Sequence, residues 1–303
     1  MKICSSGIIR LIAVWMLLIC VGIPVYAGPD NQEFYYAAND RPSGESNAIK
    51  KVEKIRDSDK KFWLHTYLRT NDRWEPVKSE RIRIKSPTQQ IIALYSGNLM
   101  LQRTLRKISL NEDGSFSFEE WQNGDLVREG RATELIPMTL DGSVTEYFDN
   151  GAIRSESFYR ENQLVWNRNW RENGEKYIDS LFYSVDVWPQ YIDGEIAMKS
   201  YMNHYILGSR YYSKELNGTV LLGFVIMENG EMSGVELVNK STLEIAKVVK
   251  ESLQTLPGKW QPAILENRPV RCYMTFPVNF KIRENKQLEN VQIFGNMIFY
   301  NYR

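Results

Sequence analysis

Between Lys61 and Ser184, short runs rich in Tyr, Trp, Phe, Ile and Thr alternate with paired turn residues. The pairs are Asp113-Gly114, Asn123-Gly124, Asp141-Gly142, Asn150-Gly151 and Asn173-Gly174. Asn-Gly and Asp-Gly tolerate positive φ at both central positions of a hairpin, as a type I′ turn requires. Residues 61–184 are therefore expected to form an antiparallel β-meander. Upstream, residues 28–60 read as a linker with a short helix: 28–46 is polar, and Asn47–Lys60 is charge-rich with few apolar positions.

After Ser184 the periodicity changes. From Thr219 to Met227, Val220, Leu222, Phe224 and Ile226 share one face while Leu221, Val225 and Met227 share the other, which predicts a central strand. Asn229-Gly230 turns the chain into a hairpin partner carrying Val235 and Leu237. Ser241-Thr242-Leu243-Glu244 reads as a capping box, and Ile245, Val248, Val249, Leu253 and Leu256 follow at helical spacing until Pro257-Gly258. From Val270 to Ile282 apolar and polar residues alternate strictly, which predicts one buried and one solvated face. Pro277 cannot donate to a ladder and argues for an edge strand. Trp260 is the expected core anchor ahead of that strand.

Charge and composition narrow the function. Lys and Arg total 38 against 37 acids, so no global field draws the chain to nucleic acid or anionic lipid. Lys2, Arg10, the apolar run Leu11–Val25 and Val25-Tyr26-Ala27 fit an export signal over residues 1–27, with an uncleaved inner-membrane anchor as the alternative. Cys20 follows a bulky Ile19, which weakens a lipoprotein reading. Cys4 and Cys20 lie in that signal, so Cys272 is left alone and is expected to be a small core residue. His65 and His204 are the only histidines, too few for a His-based metal site. No Gly-x-Ser-x-Gly elbow, Cys/His pairing or phosphate-binding Gly loop appears, and Asp57-Ser58-Asp59 reads as solvated surface. The expectation is a non-enzymatic periplasmic protein with no cofactor, no metal and no small-molecule substrate.

Two resemblances sharpen that expectation. Tyr147-Phe148-Asp149-Asn150-Gly151 is echoed by Trp170-Arg171-Glu172-Asn173-Gly174, with a weaker copy at Trp121-Gln122-Asn123-Gly124. Residues 91–180 thus resemble MORN-like repeats, which implies hairpins stacked into an elongated sheet; an unrelated antiparallel sheet is the alternative. Further on stand Gly218-Thr219-Val220, Phe224–Gly230, Lys259-Trp260-Gln261-Pro262, Arg268-Pro269-Val270 and Phe276-Pro277-Val278-Asn279-Phe280. In that order they resemble the TonB C-terminal domain over 185–283, and Trp188-Pro189-Gln190-Tyr191 resembles its motif ahead of the first helix. Tyr211-Tyr212 lacks the family's Pro, and Asn267 replaces a Gly.

The second resemblance implies two helices on a three-stranded antiparallel sheet. It also implies that an outer-membrane transporter segment adds as a strand beside the final one. Arg271, Tyr273 and Thr275, with Tyr211 and Tyr212, are the expected partner-binding residues, and a homodimer stays open. Energy-coupled transport is one use of such binding. An envelope scaffold without energy transduction is the other, because the repeat sheet stands where energy transducers carry a Pro-rich spacer. Residues 284–303 form the last expected unit, a hairpin of Val291–Phe294 and Met297–Tyr300 about Gly295-Asn296, packed on a helix or covering the binding edge.

Overall fold

The computed structural model describes residues 31–209, 217–238 and 245–281. The expected export signal, Tyr211, Tyr212, the capping box at 241–244 and the 284–303 hairpin lie outside the described residues.

Eleven strands follow one another in a single antiparallel sheet. They are β1 (Asn31–Tyr36), β2 (Lys50–Ser58), β3 (Lys61–Thr70), β4 (Arg73–Ser86), β5 (Gln89–Ser96), β6 (Leu99–Leu110), β7 (Phe116–Gln122), β8 (Asp125–Leu135), β9 (Met138–Tyr147), β10 (Ile153–Arg160) and β11 (Gln163–Asn169). The meander thus starts thirty residues before the expected position, and the charge-rich stretch expected to be linker and short helix is β2 with β1 beside it. The reason lies in cross-strand partners that a helical reading ignores. Lys51 sits over the Tyr67 ring at 4.9 Å, Lys54 over Phe62 at 5.4 Å, and Val52 is buried on the inner face. Long cationic stems cover the aromatic rings of the neighbouring strand, and the Lys51 ammonium is paired with Glu33 and Glu53.

The turns also differ in kind. Only Asn123-Gly124 has positive φ at both positions, 51° and 101°. At Asp113-Gly114, Asn150-Gly151 and Asn173-Gly174 the glycine alone is left-handed. Each of these loops closes in one way. The residue three before the Gly accepts from the Gly amide, as at Phe148 and Arg171, and the Asp or Asn Oδ1 accepts the amide two residues on. Such side-chain closure is the reason Asx residues favour turns. Asn229-Gly230 repeats it. Asp141-Gly142 is no turn at all: it lies within β9, where the ladder slips opposite Arg131, and the chain reverses at Ile136-Pro137 instead.

Strands lie about 4.8 Å apart, so β1 and β11 of a flat sheet would stand roughly 48 Å from each other. Asn39, in the 3-10 turn Ala38–Asp40 after β1, nevertheless bonds β11 twice. Its Nδ2 donates to the Leu164 carbonyl at 3.1 Å, and the Leu164 amide donates to its Oδ1 at 3.2 Å. The sheet therefore curls until its ends meet, and it is not the elongated sheet that the MORN-like reading implied. Curling encloses Val52, Leu64, Ile82 and Ile92 and brings Ile136 of the β8–β9 turn against them.

The remaining chain is α+β. β12 (Leu181–Phe182), β14 (Asn217–Ile226), β15 (Met232–Leu237), β17 (Ala263–Leu265) and β18 (Arg268–Lys281) form one sheet in the order β12-β18-β14-β15, with β17 also on β18. β13 (Gln190–Tyr191) and β16 (Trp260–Gln261) pair separately. Helices α1 (Gly194–Leu207) and α2 (Ile245–Gln254) pack on one face through Met198, Met202, Ile206, Ile245, Val249 and Leu253. β14 is central, as its two apolar faces require. The β18 face carrying Arg271 is not solvated as expected: Pro277 is buried, and Tyr273 lies under Tyr183.

Trp260 is 6 % exposed and holds the core together at a tight point. Its ring meets Tyr191 at 5.5 Å and Phe224 at 5.7 Å, and its amide donates to the Gly230 carbonyl at 2.9 Å. A Cβ on Gly230 would stand 2.1 Å from the Trp260 carbonyl oxygen, so the turn after β14 and the strand β16 fit only with glycine there. Trp260→Ala is expected to lower unfolding free energy by about 3–5 kcal/mol in urea titration; a loss below about 1 kcal/mol would mark Trp260 as surface instead.

Candidate functional site

The site is the flank of β18 that faces away from β14. β18 pairs with β14 without slippage, from Ile226↔Cys272 to Asn217↔Lys281. β17 pairs with Arg268–Val270, and on the flank away from β14 the strand β12 runs parallel against Arg271 and Cys272. Among the described residues, no strand pairs with that flank from Tyr273 onward.

The direction of the backbone groups there follows from β14. The Leu221 carbonyl accepts the Val238 amide beyond β15, and the Met227 amide donates to Glu231 in the β14–β15 turn. Residues 221, 223, 225 and 227 therefore turn their polar groups toward β15, because backbone groups alternate along a strand. Their β18 partners turn theirs the opposite way. Tyr273 faces Val225, Thr275 faces Gly223 and Pro277 faces Leu221, so these three direct their backbone groups away from β14. Pro277 accordingly costs the sheet no ladder bond.

The five expected binding residues divide. Arg271 lies under β12, and its Nε donates to Glu228 at 2.9 and 3.0 Å while Nη1 donates to the Asp179 carbonyl. Its side chain is committed inside the protein. Tyr273 reaches back across Gly223, where a Cβ would stand 2.1 Å from its hydroxyl, and donates to Glu236 at 3.1 Å. Burial and then Glu236 push its pKa well above the usual tyrosine value. At Tyr273, then, the backbone and not the ring points away from β14. Thr275 lines the adjoining cavity. Tyr211 and Tyr212 lie outside the described residues. Cys272 is a buried core thiol, as expected, and burial raises its pKa to about 12.

β15 is the opposite edge of the sheet, and it is obstructed. Tyr177 donates to the Gly234 carbonyl at 3.0 Å, Arg171 pairs with Glu236 at 3.3 Å, and the β14–β15 ladder slips beside Gly234. Bulges and cross-bound charges are how natural sheets close an edge.

The β18 flank opens onto a cavity of about 430 Å³ between Tyr273–Thr275, Tyr183 and the inner face of the curled sheet. A charged row crosses that face in register: Arg106 stands opposite Glu120, and Glu120 opposite Arg128. Arg106 Nε donates to one carboxylate oxygen of Glu120 at 2.8 Å and Arg128 Nε to the other at 2.9 Å, while Arg106 Nη1 donates to Gln90 at 3.0 Å. Burial alone would raise the Glu120 pKa, but the two guanidiniums outweigh it and hold the carboxyl at about 2. The sequence reading missed this row. The available signal was phase: Arg106 alternates with buried Thr104 and Ile108, and Glu120 with buried Phe118.

Removing the charge of Glu120 strands two guanidiniums. Glu120→Gln is expected to cost about 3–5 kcal/mol at neutral pH, the range for breaking a buried ion pair. The folded pKa is depressed, so the contribution is full above the ordinary value of 4.5 and is lost as pH falls toward about 2. The gap between parent and Glu120→Gln in denaturant titrations should narrow across that window; a gap independent of pH would show that Glu120 is not charged in the fold.

No curated protein matches the chain. Among the described residues no helix is long and apolar enough to cross a membrane, and no cluster of metal-ligating residues occurs. A family match covers a minority of the chain, beginning after α1 and taking in β14, β15, α2 and β18: residues 212–282 match the family described as the Gram-negative bacterial TonB protein C-terminal.

Proposed function

We propose that the chain is a non-enzymatic envelope protein that captures an extended segment of an outer-membrane transporter as an added strand along β18 beyond Cys272. The observation that carries this is the half-covered flank. β12 closes it at Arg271 and Cys272, and no described strand continues from Tyr273, where the backbone groups turn outward. Strand addition draws affinity from backbone bonds and selectivity from alternate side chains. The TonB C-terminal match agrees with a protein-binding role.

A second reading uses the same edge without energy transduction, and one observation favours it. The curled sheet is docked on the α+β part instead of extending away from it. Asn39 accepts no slack there: its amide donates to Ser184 Oγ at 3.3 Å, and Arg41 pairs with Asp186 and Glu266. A docked sheet holds the binding edge in place, whereas a spacer lets it reach. The shared turn at Asn150-Gly151 and Asn173-Gly174, joined by Asn150 Nδ2 donating to the Glu172 carbonyl, is in our reading what produces the MORN-like echo.

Full-length protein titrated with synthetic peptides copied from periplasm-facing N-terminal segments of outer-membrane transporters tests the proposal. Tyr273→Ala removes only the ring; Tyr273→Pro also removes the amide. Binding is expected for the parent and for Tyr273→Ala, with a further loss of about tenfold in Tyr273→Pro, near the upper end for one backbone bond. Equal affinities in the two variants, both folded by circular dichroism, would contradict strand addition at this position.

A further inference from the structure

We propose that the inside of the curled sheet is a binding trough for a single long aliphatic chain with an anionic head group. It adjoins the cavity at the β18 flank, with which it shares Arg106 and Arg128, and does not depend on the strand-addition reading.

The trough is a cavity of about 990 Å³, at the upper end of the range for small-molecule sites. Its floor is aliphatic: Val52, Leu64, Ile82 and Ile92 come from four successive strands, and Pro137 and Leu140 close the far side. Three features select its occupant.

The first is the absence of backbone partners. Each strand from β2 to β10 is bonded to a neighbour on both sides, so the inner face presents side chains and no free ladder groups. A peptide laid on that face would bury its amides and carbonyls unpaired, which is costly. A hydrocarbon chain has no such groups to lose.

The second is charge. Along the trough Lys50 pairs with Asp40, and Lys78 pairs with Glu80 at 3.3 Å, so these cancel. At the inner end the row continues, with three guanidiniums, Arg106, Arg128 and Arg154, against two carboxylates, Glu120 and Glu146, while Glu75 lines the trough far along β4. The Arg128 side chain lines the trough and is 28 % exposed. A carboxylate or phosphate head would complete the pairing.

The third is the mouth. Leu99 and Leu101 line the trough where β6 begins, yet they are 66 % and 42 % exposed, with Met100 between them at 52 %. Three consecutive exposed apolar residues at a hairpin tip mark a contact site for apolar material.

The test uses the full chain and hexadecanoate as the probe, with hexadecanol as its uncharged counterpart. Calorimetric titration is expected to give micromolar binding of hexadecanoate and at least tenfold weaker binding of hexadecanol. Leu140→Trp and Ile92→Trp, each filling the trough, are expected to abolish binding. Because a filled variant can lose its fold, amide exchange on the parent protein gives a second readout: the probe should slow exchange in β2–β5 and leave β18 unchanged. Four results would each overturn the proposal. They are no binding to the parent, equal affinity for the two probes, protection confined to β18, and binding that emerges only after residues 283–303 are deleted. The last would give the trough to the chain's own C-terminal segment.

Discussion

Asn39 ties the molecule together. The residue stands at φ 53°, a left-handed conformation that Asn tolerates better than most side chains. From that position its side chain grips both backbone groups of Leu164, and its amide reaches Ser184. Three parts of the chain meet there: the end of β1, the start of β11, and the segment that leads into the α+β part. The inner trough, the enclosed charged row and the position of β18 beside the cavity all follow from that closure. Ala38, next to it, shares a buried cluster with Val185, Ala263, Leu265 and Cys272. The two sheets are therefore joined through a common core, and a contact between them is not a hinge of exposed side chains.

The same economy governs the final strand. A long edge strand invites aggregation, and only a restricted length of this one is available. β17 folds back on Arg268–Val270 through the turn Glu266-Asn267, where both residues take positive φ, so Asn267 does the work of a glycine. On the flank away from β14, β12 covers Arg271 and Cys272 in parallel. Tyr273 begins the remainder with its ring drawn inward over Gly223. The proposed strand addition would draw on the backbone there, which suits partners of varied sequence that share an extended shape.

Much of this was legible where local pattern and tertiary role coincide. The two apolar faces of β14 made it central, the spacing of Ile245 to Leu253 made α2 a helix, and Trp260 was the core anchor its neighbourhood required. The pattern misled where a strand is covered by its neighbours and not by an apolar core. Lys50–Ser58 looks like a solvated helix because its cations meet rings and carboxylates of β1 and β3, cross-strand partners such as Glu33 and Tyr67 that a helical reading does not weigh. Asp141-Gly142 looks like a turn because the left-handed glycine that makes hairpins also makes bulges. The Arg106–Glu120–Arg128 row carried its signal in the phase of β6 and β7, but the curl depends on a contact across the whole sheet, and no periodicity encodes which strand meets β1.

The claim most exposed to refutation is that β18 is the acceptor edge and that acceptance starts at Tyr273. Amide hydrogen exchange read residue by residue on the full chain, with and without a saturating transporter-segment peptide, tests it directly. The account predicts slowed exchange at the Tyr273 amide, with no change at Cys272 or along β15. Protection along Met232–Leu237 with Tyr273 unaffected would place the partner on the opposite edge and contradict the account.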